Sequence, residues 1–298
     1  MKVPRRLTML VALTALILVA GVLPASAAPP KQVLYGTTGR CNNEFPGGPC
    51  TENSTLVQLD PVTGALIKTI GTTGAVGHTV NGLAWDGKAQ RLYASTAIGC
   101  GPGSICPFHG LITINIETGA GTPVTEAAPN FGLAGDLSPV HSITIHSNGR
   151  MVGWYDEFPA GTVTDTFVTL DKATGMATEF PDTGIDTSAN GLSFDGAGIL
   201  WNIDSPRKVG TAPLTQTAYR LDPATGKPLG TVSLNPPTQA ALGDFNPATN
   251  LYYGLKFTPF DPAQKTFIEV VNLGTGTVTQ LGPTVDNLHT LAFVKKVK

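Results

Sequence analysis

The chain repeats one phrase. "LVQLDPVTGALIKTIG" (56–71) returns as "LITINIETGAGTPV" (111–124), "FVTLDKATGMATEF" (167–180), "AYRLDPATGKPLGTV" (218–232) and "IEVVNLGTGTVTQLG" (268–282). Each copy alternates apolar and polar residues, turns at a Gly, and alternates again. That is the pattern of strand, tight turn, strand, with the glycine supplying a left-handed backbone position. A repeat of this length sharply limits the folds open to the chain, because each unit must bury its apolar face against a copy of itself.

Two more strand types fill the intervals. One opens each unit: "NGLAWD", "HSITIH", "NGLSFD", "LGDFN" and "HTLAFV". The other follows it: "LYGTT", "LYAST", "MVGWYD", "LWNID" and "LYYGLKF". Four short strands recurring every 50 to 60 residues, with no amphipathic helical period, describe the blade of a β-propeller. Gly (35) and Pro (24) make the chain turn-rich, and 41% hydrophobic residues still suffice for a core, so an all-β domain is favoured over disorder. Five turns and five innermost strands predict five blades; six is the alternative, if one long unit hides a degenerate blade. The chain enters on a second-type strand, "QVLYGTT", and ends on an innermost one, "LHTLAFV". Pairing these two would close the ring and leave no open edge.

The first residues read as an export signal. Lys2, Arg5 and Arg6 precede the apolar run Leu7 to Leu23, and Ala25-Ser26-Ala27 fits a cleavage site. The expected organisation is a signal peptide over 1–27 and one propeller domain over 28–298, secreted or periplasmic and monomeric. Cys41/Cys50 and Cys100/Cys106 are then expected to form two local disulfides, since neither interval has thiolate-metal spacing. A formal net charge of −2 with 13% charged residues offers no electrostatic footprint for nucleic acid, and no later stretch predicts membrane insertion.

Loop length is lopsided. First-to-second strand connections are short, whereas the loops after the second strand are long and unlike one another, for example "GRCNNEFPGGPCTENS" and "SPRKVGTAPLTQT". A scaffold that elaborates only one face marks that face as its working surface. On the same face, each innermost strand begins at the channel mouth. Aligning those strands puts Asn81, His141, Asn190 and His289 at one level, with His78 just before; the fourth copy offers Ala240 or Ala241 beside Gln239. Imidazoles and amide oxygens converging there could hold one divalent metal ion of unspecified identity. They could equally serve as a structured polar plug. Asp86 and Asp195 lie at the opposite end, in Asp-Gly turns.

The phrase "LDPxTG" resembles the hairpin of NHL-type and quinoprotein-like propellers. "VNGLAWDG" and "ANGLSFDG" are similar to the Asn-Gly motif of the gluconolactonase and senescence-marker propellers. In that resemblance the Asn entering an innermost strand is a ligand to a central divalent cation, which implies that role for Asn81 and Asn190. Those families have six blades and acidic ligands where this chain has His141 and His289. Two functions follow as expectations. One is a module binding a small molecule, glycan or peptide at the channel mouth. The other is a metal-dependent extracellular hydrolase, lactonase or lyase using the Asn/His ring.

Overall fold

The computed structural model describes residues 32–39, 53–74, 79–96, 110–125, 131–133, 140–155, 165–185, 187, 191–203, 214–257 and 265–295. Neither expected disulfide, Cys41 with Cys50 or Cys100 with Cys106, is part of this described structure. Cys41, Cys50, Cys100 and Cys106 all lie outside these residues, as do the expected signal peptide, His78 and Asn190. Within them the chain is all-β. In chain order the strands are β1 (Gln32–Thr38), β2 (Thr55–Leu59), β3 (Leu66–Thr72), β4 (Val80–Asp86), β5 (Arg91–Thr96), β6 (Leu111–Ile114) and β7 (Gly121–Pro123). There follow β8 (Val140–Ile145), β9 (Met151–Tyr155), β10 (Thr166–Leu170), β11 (Ala177–Glu179), β12 (Leu192–Phe194), β13 (Leu200–Asn202) and β14 (Thr215–Leu221). The last are β15 (Pro228–Thr238), β16 (Ala241–Asn246), β17 (Leu251–Phe257), β18 (Thr266–Asn272), β19 (Thr277–Pro283) and β20 (Leu288–Lys295).

Pairing is antiparallel and almost entirely between sequence neighbours. One sheet runs β20-β1-β2-β3, a second β4-β5-β6-β7 and a third β8-β9-β10-β11. The remaining strands form an array of two antiparallel groups, β12 to β15 and β16 to β19, whose ladders are linked by the parallel pair Asn235 with Thr277. The non-local exception is β20, which pairs with β1 from Gln32↔Lys295 to Thr38↔Leu288, so the two ends share a sheet as their sequences suggested.

The leading strands touch in a closed circuit: β4 meets β8, β8 meets β12, β12 meets β16, β16 meets β20, and β20 meets β4. Because strand side chains alternate between faces, each group sends alternate residues into the two seams beside it. In β1 and β5, for instance, Val33, Tyr35, Leu92 and Ala94 share one apolar cluster, while Leu34 and Tyr93 enter two others. Every seam holds such a cluster, the last joining Tyr253, Leu255 and Ile268 to Leu34, Leu59 and Leu291.

The repeated turn has one geometry throughout. Asp60, Asn115, Asp171, Asp222 and Asn272 each accept an amide two residues on, at 2.7 to 2.9 Å. Each also accepts, through its carbonyl, the N–H of the glycine four residues on. Those glycines, Gly64, Gly119, Gly175, Gly226 and Gly276, have φ between 71° and 80°. The Asx side chain caps the turn locally, and glycine takes the left-handed step that closes it.

Gly175 isolates that conformational term, because an added Cβ there meets only Leu111 Cβ at an ordinary 3.5 Å. Gly175→Ala is expected to destabilise the fold by about 1–2 kcal/mol, the cost of a left-handed L-residue. Equilibrium urea unfolding measures it, and a change near zero would remove the turn from the determinants of the fold.

Candidate functional site

The site forms at the amino-terminal ends of the leading strands. In β4, Val80 faces Thr96 and Gly82 faces Ser95, so the ladder skips Asn81. In β8, Val140 faces Tyr155 and Ser142 faces Trp154, so it skips His141. In β20, Leu288 faces Thr38 and Thr290 faces Thr37, so it skips His289. Three residues that the repeat alignment put at one level are therefore the extra residues of three β-bulges. A bulge breaks the in–out alternation and re-aims one side chain. Here it lifts that side chain out of the seam-packing pattern followed by the rest of the strand.

β20, β4 and β8 are consecutive in the circuit, so His289, Asn81 and His141 stand on three adjoining strands. Asn81 is buried and the two histidines are half-buried. The strands press close: a Cβ on Gly82 would lie 2.8 Å from the Ile143 nitrogen and 3.2 Å from the His141 oxygen. This accounts for the Gly after Asn81. His289 is oriented across the same junction, with its Nδ1 2.8 Å from the Val80 carbonyl oxygen. A carbonyl only accepts, so Nδ1 is the donor in this contact.

The fourth member of the level differs. In β16 the register slips between Ala241 and Asp244, and both Ala240 (φ 23°) and Leu242 (φ 54°) adopt positive φ. Buried Glu269 on β18 anchors this entry. It accepts the Thr238 hydroxyl and, at 3.5 Å, the Ala240 amide, and it pairs with Lys256 Nζ at 3.3 Å. Among the described residues no three His, Cys, Asp or Glu side chains converge as a metal-holding group.

Below this level, residues of all five leading strands enclose an axial cavity of about 140 Å³. It holds a carboxylate that the sequence alignment of strand entrances did not bring out, Asp244. Ser193 Oγ donates to its Oδ1 at 2.9 Å, the Phe245 amide to the same oxygen at 2.8 Å, and the Phe293 amide to Oδ2 at 2.8 Å. Asp244 thus ties β12, β16 and β20 together. Enclosure away from bulk water pushes its pKa up to about 6, against the opposing effect of the three donors. The signal in sequence was a polar residue in mid-strand, "LGDFN", where other copies carry Ala, Thr or Ser.

Asp86 and Asp195 are turn residues, as expected. Asp86 Oδ1 accepts the Lys88 and Ala89 amides, and Oδ2 pairs with Lys172. Burial alone would raise its pKa, but Lys172 and the two amides outweigh it and hold the group low. Asp195 Oδ1 accepts the Ala197 and Ile199 amides at 2.9 Å, and Oδ2 accepts the Trp201 indole N–H at 3.1 Å.

No family model and no curated protein matches the chain. Two solved structures are similar at low scores. An auxiliary nutrient binding protein from Bacteroides thetaiotaomicron VPI-5482 matches with 16% identity and a TM-score of 0.38, over 85% of this chain and 49% of that one. This chain therefore spans about half the length of that protein. A protein provisionally named 6-phosphogluconolactonase, from Bacteroides fragilis NCTC 9343, matches with 11% identity and a TM-score of 0.37, over 88% of this chain and 98% of the other. Neither likeness assigns a function.

The raised Asp244 pKa fixes a pH dependence. The folded state binds its proton more tightly than the unfolded chain, whose carboxyl titrates at the ordinary 3.8, so stability falls as pH rises from about 4 through 6. The full penalty above pH 7 is at most about 3 kcal/mol, of which roughly half is relieved at pH 5. Asp86, held low, loses its stabilising effect only as pH falls below about 4, outside this window. Urea midpoints at pH 5 and pH 7.5 are expected to differ in the wild type and to lose that component of the difference in Asp244→Asn, whatever the variant's absolute stability.

Proposed function

We propose that the chain is a secreted, five-bladed β-propeller that binds a small molecule at the loop-bearing mouth of its central channel. Asn81, His141 and His289 form the polar floor of the site, and the repeat aligns Asn190 with them. The five copies of one turn, the closed circuit of leading strands and the β20–β1 pairing all support this architecture. The charged-then-apolar amino terminus supports export. The two short intervals, Cys41 to Cys50 and Cys100 to Cys106, support disulfides in the mouth loops.

One observation carries the reading: the same bulge recurs at Asn81, His141 and His289. A polar residue in ordinary register would be turned into an apolar seam and would have to be paired there. The bulge re-aims it relative to the rest of the strand at the cost of ladder hydrogen bonds, a cost that has been accepted three times at one level. Convergent polar groups at the end of an enclosed channel suit a ligand of modest size with several hydrogen-bonding atoms.

A second reading, a metal-dependent hydrolase, lactonase or lyase, draws on His289. An imidazole whose Nδ1 is held by a backbone carbonyl is oriented in the way metal-ligating histidines are. His289 and His141 with the Asn81 amide oxygen would hold the cation, and it would supply Lewis-acid polarisation of a carbonyl.

Thermal shift on untagged protein, with a panel of neutral mono- and disaccharides and dipeptides, tests the first reading. At least one compound is expected to raise the wild-type Tm by a few degrees and to leave His141→Ala/His289→Ala unmoved. A shift that persists in the double variant would put the ligand on the loops and sink the floor assignment. Elemental analysis separates the second reading. Near-stoichiometric metal in the wild type, missing from folded Asn81→Ala/His141→Ala, would make the ring a metal site.

A further inference from the structure

At one position in the second strands, four of the five groups carry a small residue: Gly36 in β1, Ala94 in β5, Gly153 in β9 and Gly254 in β17. The leading strand closes tightly over this position. A Cβ at Gly254 would lie 2.1 Å from the Ala240 oxygen, and one at Gly153 2.5 Å from a Val140 methyl. The β12–β15 group departs from the rule with Asn202 in β13. Its side chain is fully buried, and neither its Oδ1 nor its Nδ2 has a hydrogen-bond partner among the described residues.

Asn202 does not stand alone in its seam. It pairs with Leu192, so its side chain shares the face of Leu192 and Leu200, which pack against Val152, Trp154 and Phe167 of the third sheet. The indole N–H of Trp154 is likewise fully buried and unpartnered among the described residues. The two residues are at matched depth. Trp154 pairs with Ser142, Asn202 pairs with Leu192, and Ser142 Oγ bridges to Leu192 by accepting its N–H at 3.2 Å and donating to its carbonyl at 3.3 Å. Both lie at the loop-bearing end, since Asn202 is the last residue of β13 and Trp154 the last but one of β9.

The other four groups show that glycine or alanine satisfies this position. Placing an amide here, opposite a second orphaned donor in an apolar seam, costs stability unless something pairs with them. The complement can be read from the atoms. Two donors, Trp154 Nε1–H and Asn202 Nδ2–H, call for an acceptor with two lone pairs; one acceptor, Asn202 Oδ1, calls for a donor beside it. A carbonyl oxygen with an N–H on the same side meets both demands, pairing reciprocally with the Asn202 amide while accepting from the indole. We propose that the seam between the third sheet and the β12–β15 group is a binding site for a primary carboxamide or a lactam. The proposal does not depend on the function of the Asn81/His141/His289 level.

Nitrogen-15 labelling of tryptophan makes the site directly observable, because each indole N–H gives one resonance. Trp154→Phe assigns the signal, and the Trp201 indole, held by Asp195, reports that the fold is intact. Titration with acetamide, and separately with 2-pyrrolidinone, is expected to move the Trp154 indole proton downfield and saturably while the Trp201 signal stays in place. Asn202→Gly, which installs the residue found at this position in β1, β9 and β17, should weaken the response about tenfold or more. Overturning results are equally plain. No saturable shift, an equal shift in Asn202→Gly, or an indole proton that exchanges with water and ignores both amides would leave a seam filled by solvent alone.

Discussion

Everything in this molecule depends on the pairing of β20 with β1. The chain is built from hairpins that bond to their immediate neighbours, and a row of such units has two exposed edges and two unburied faces. Joining the last strand to the first removes both at once. The sheet β20-β1-β2-β3 acquires its leading strand, and the cluster of Leu34, Leu59 and Leu291 with Tyr253 and Ile268 becomes the seam that completes the circuit. This contact joins residues 32–38 to 288–295, so its chain-closure entropy exceeds that of any hairpin. Apart from the β15–β19 bridge, the other strand pairings join sequence neighbours, so this ladder is the one that spans the described chain from end to end.

Closure also dictates where chemistry can reside. Once five leading strands meet, their side chains fill the seams, and little of the interior is left for polar groups except the axis and the strand ends. The chain places polarity at both. Bulges at Asn81, His141 and His289 withdraw three residues from seam packing at the mouth. Lower down, Asp244 is tolerated in the axial cavity because donors from three strands surround it. The level is thus tied to a packing problem: where the leading strands press close, register slips, and the slipped residue is re-aimed relative to its strand.

The parts of this arrangement that were legible in the sequence are those that repeat. The turn is written in one short phrase, Asp or Asn followed four residues later by Gly, because Asx capping and a left-handed step act within that span. The level of Asn81, His141 and His289 could be aligned because the strands that carry them are copies. Asp244 and Asn202 were hidden for the opposite reason: each is an exception to its repeat. Asp244 stands where other copies hold small residues, and its environment is assembled from Ser193 and Phe293, far away in the chain. Whether a polar residue at such a place faces solvent, a seam or the axis turns on register between groups, which no single copy encodes. The bulges were likewise invisible, since a skipped residue looks in sequence like any other member of its strand.

That contrast gives exceptions a particular value in a repeat protein. Residues shared by all copies are accounted for by what all copies must do, namely turn, pair and fill a seam. A residue that breaks the pattern at a buried position carries a cost its siblings avoid, and the cost must be met by a specific partner. For Asp244 the partners are visible, three donors converging from separate strands. Glu269, a buried carboxylate, is met by Thr238, the Ala240 amide and Lys256, and so holds the Ala240 entry to β16. Asn202 breaks the pattern in the same way, and neither it nor the buried Trp154 indole has such a partner among the described residues. Where the fold accounts for a costly residue, the residue is structural; where it does not, water or a bound molecule must meet the cost.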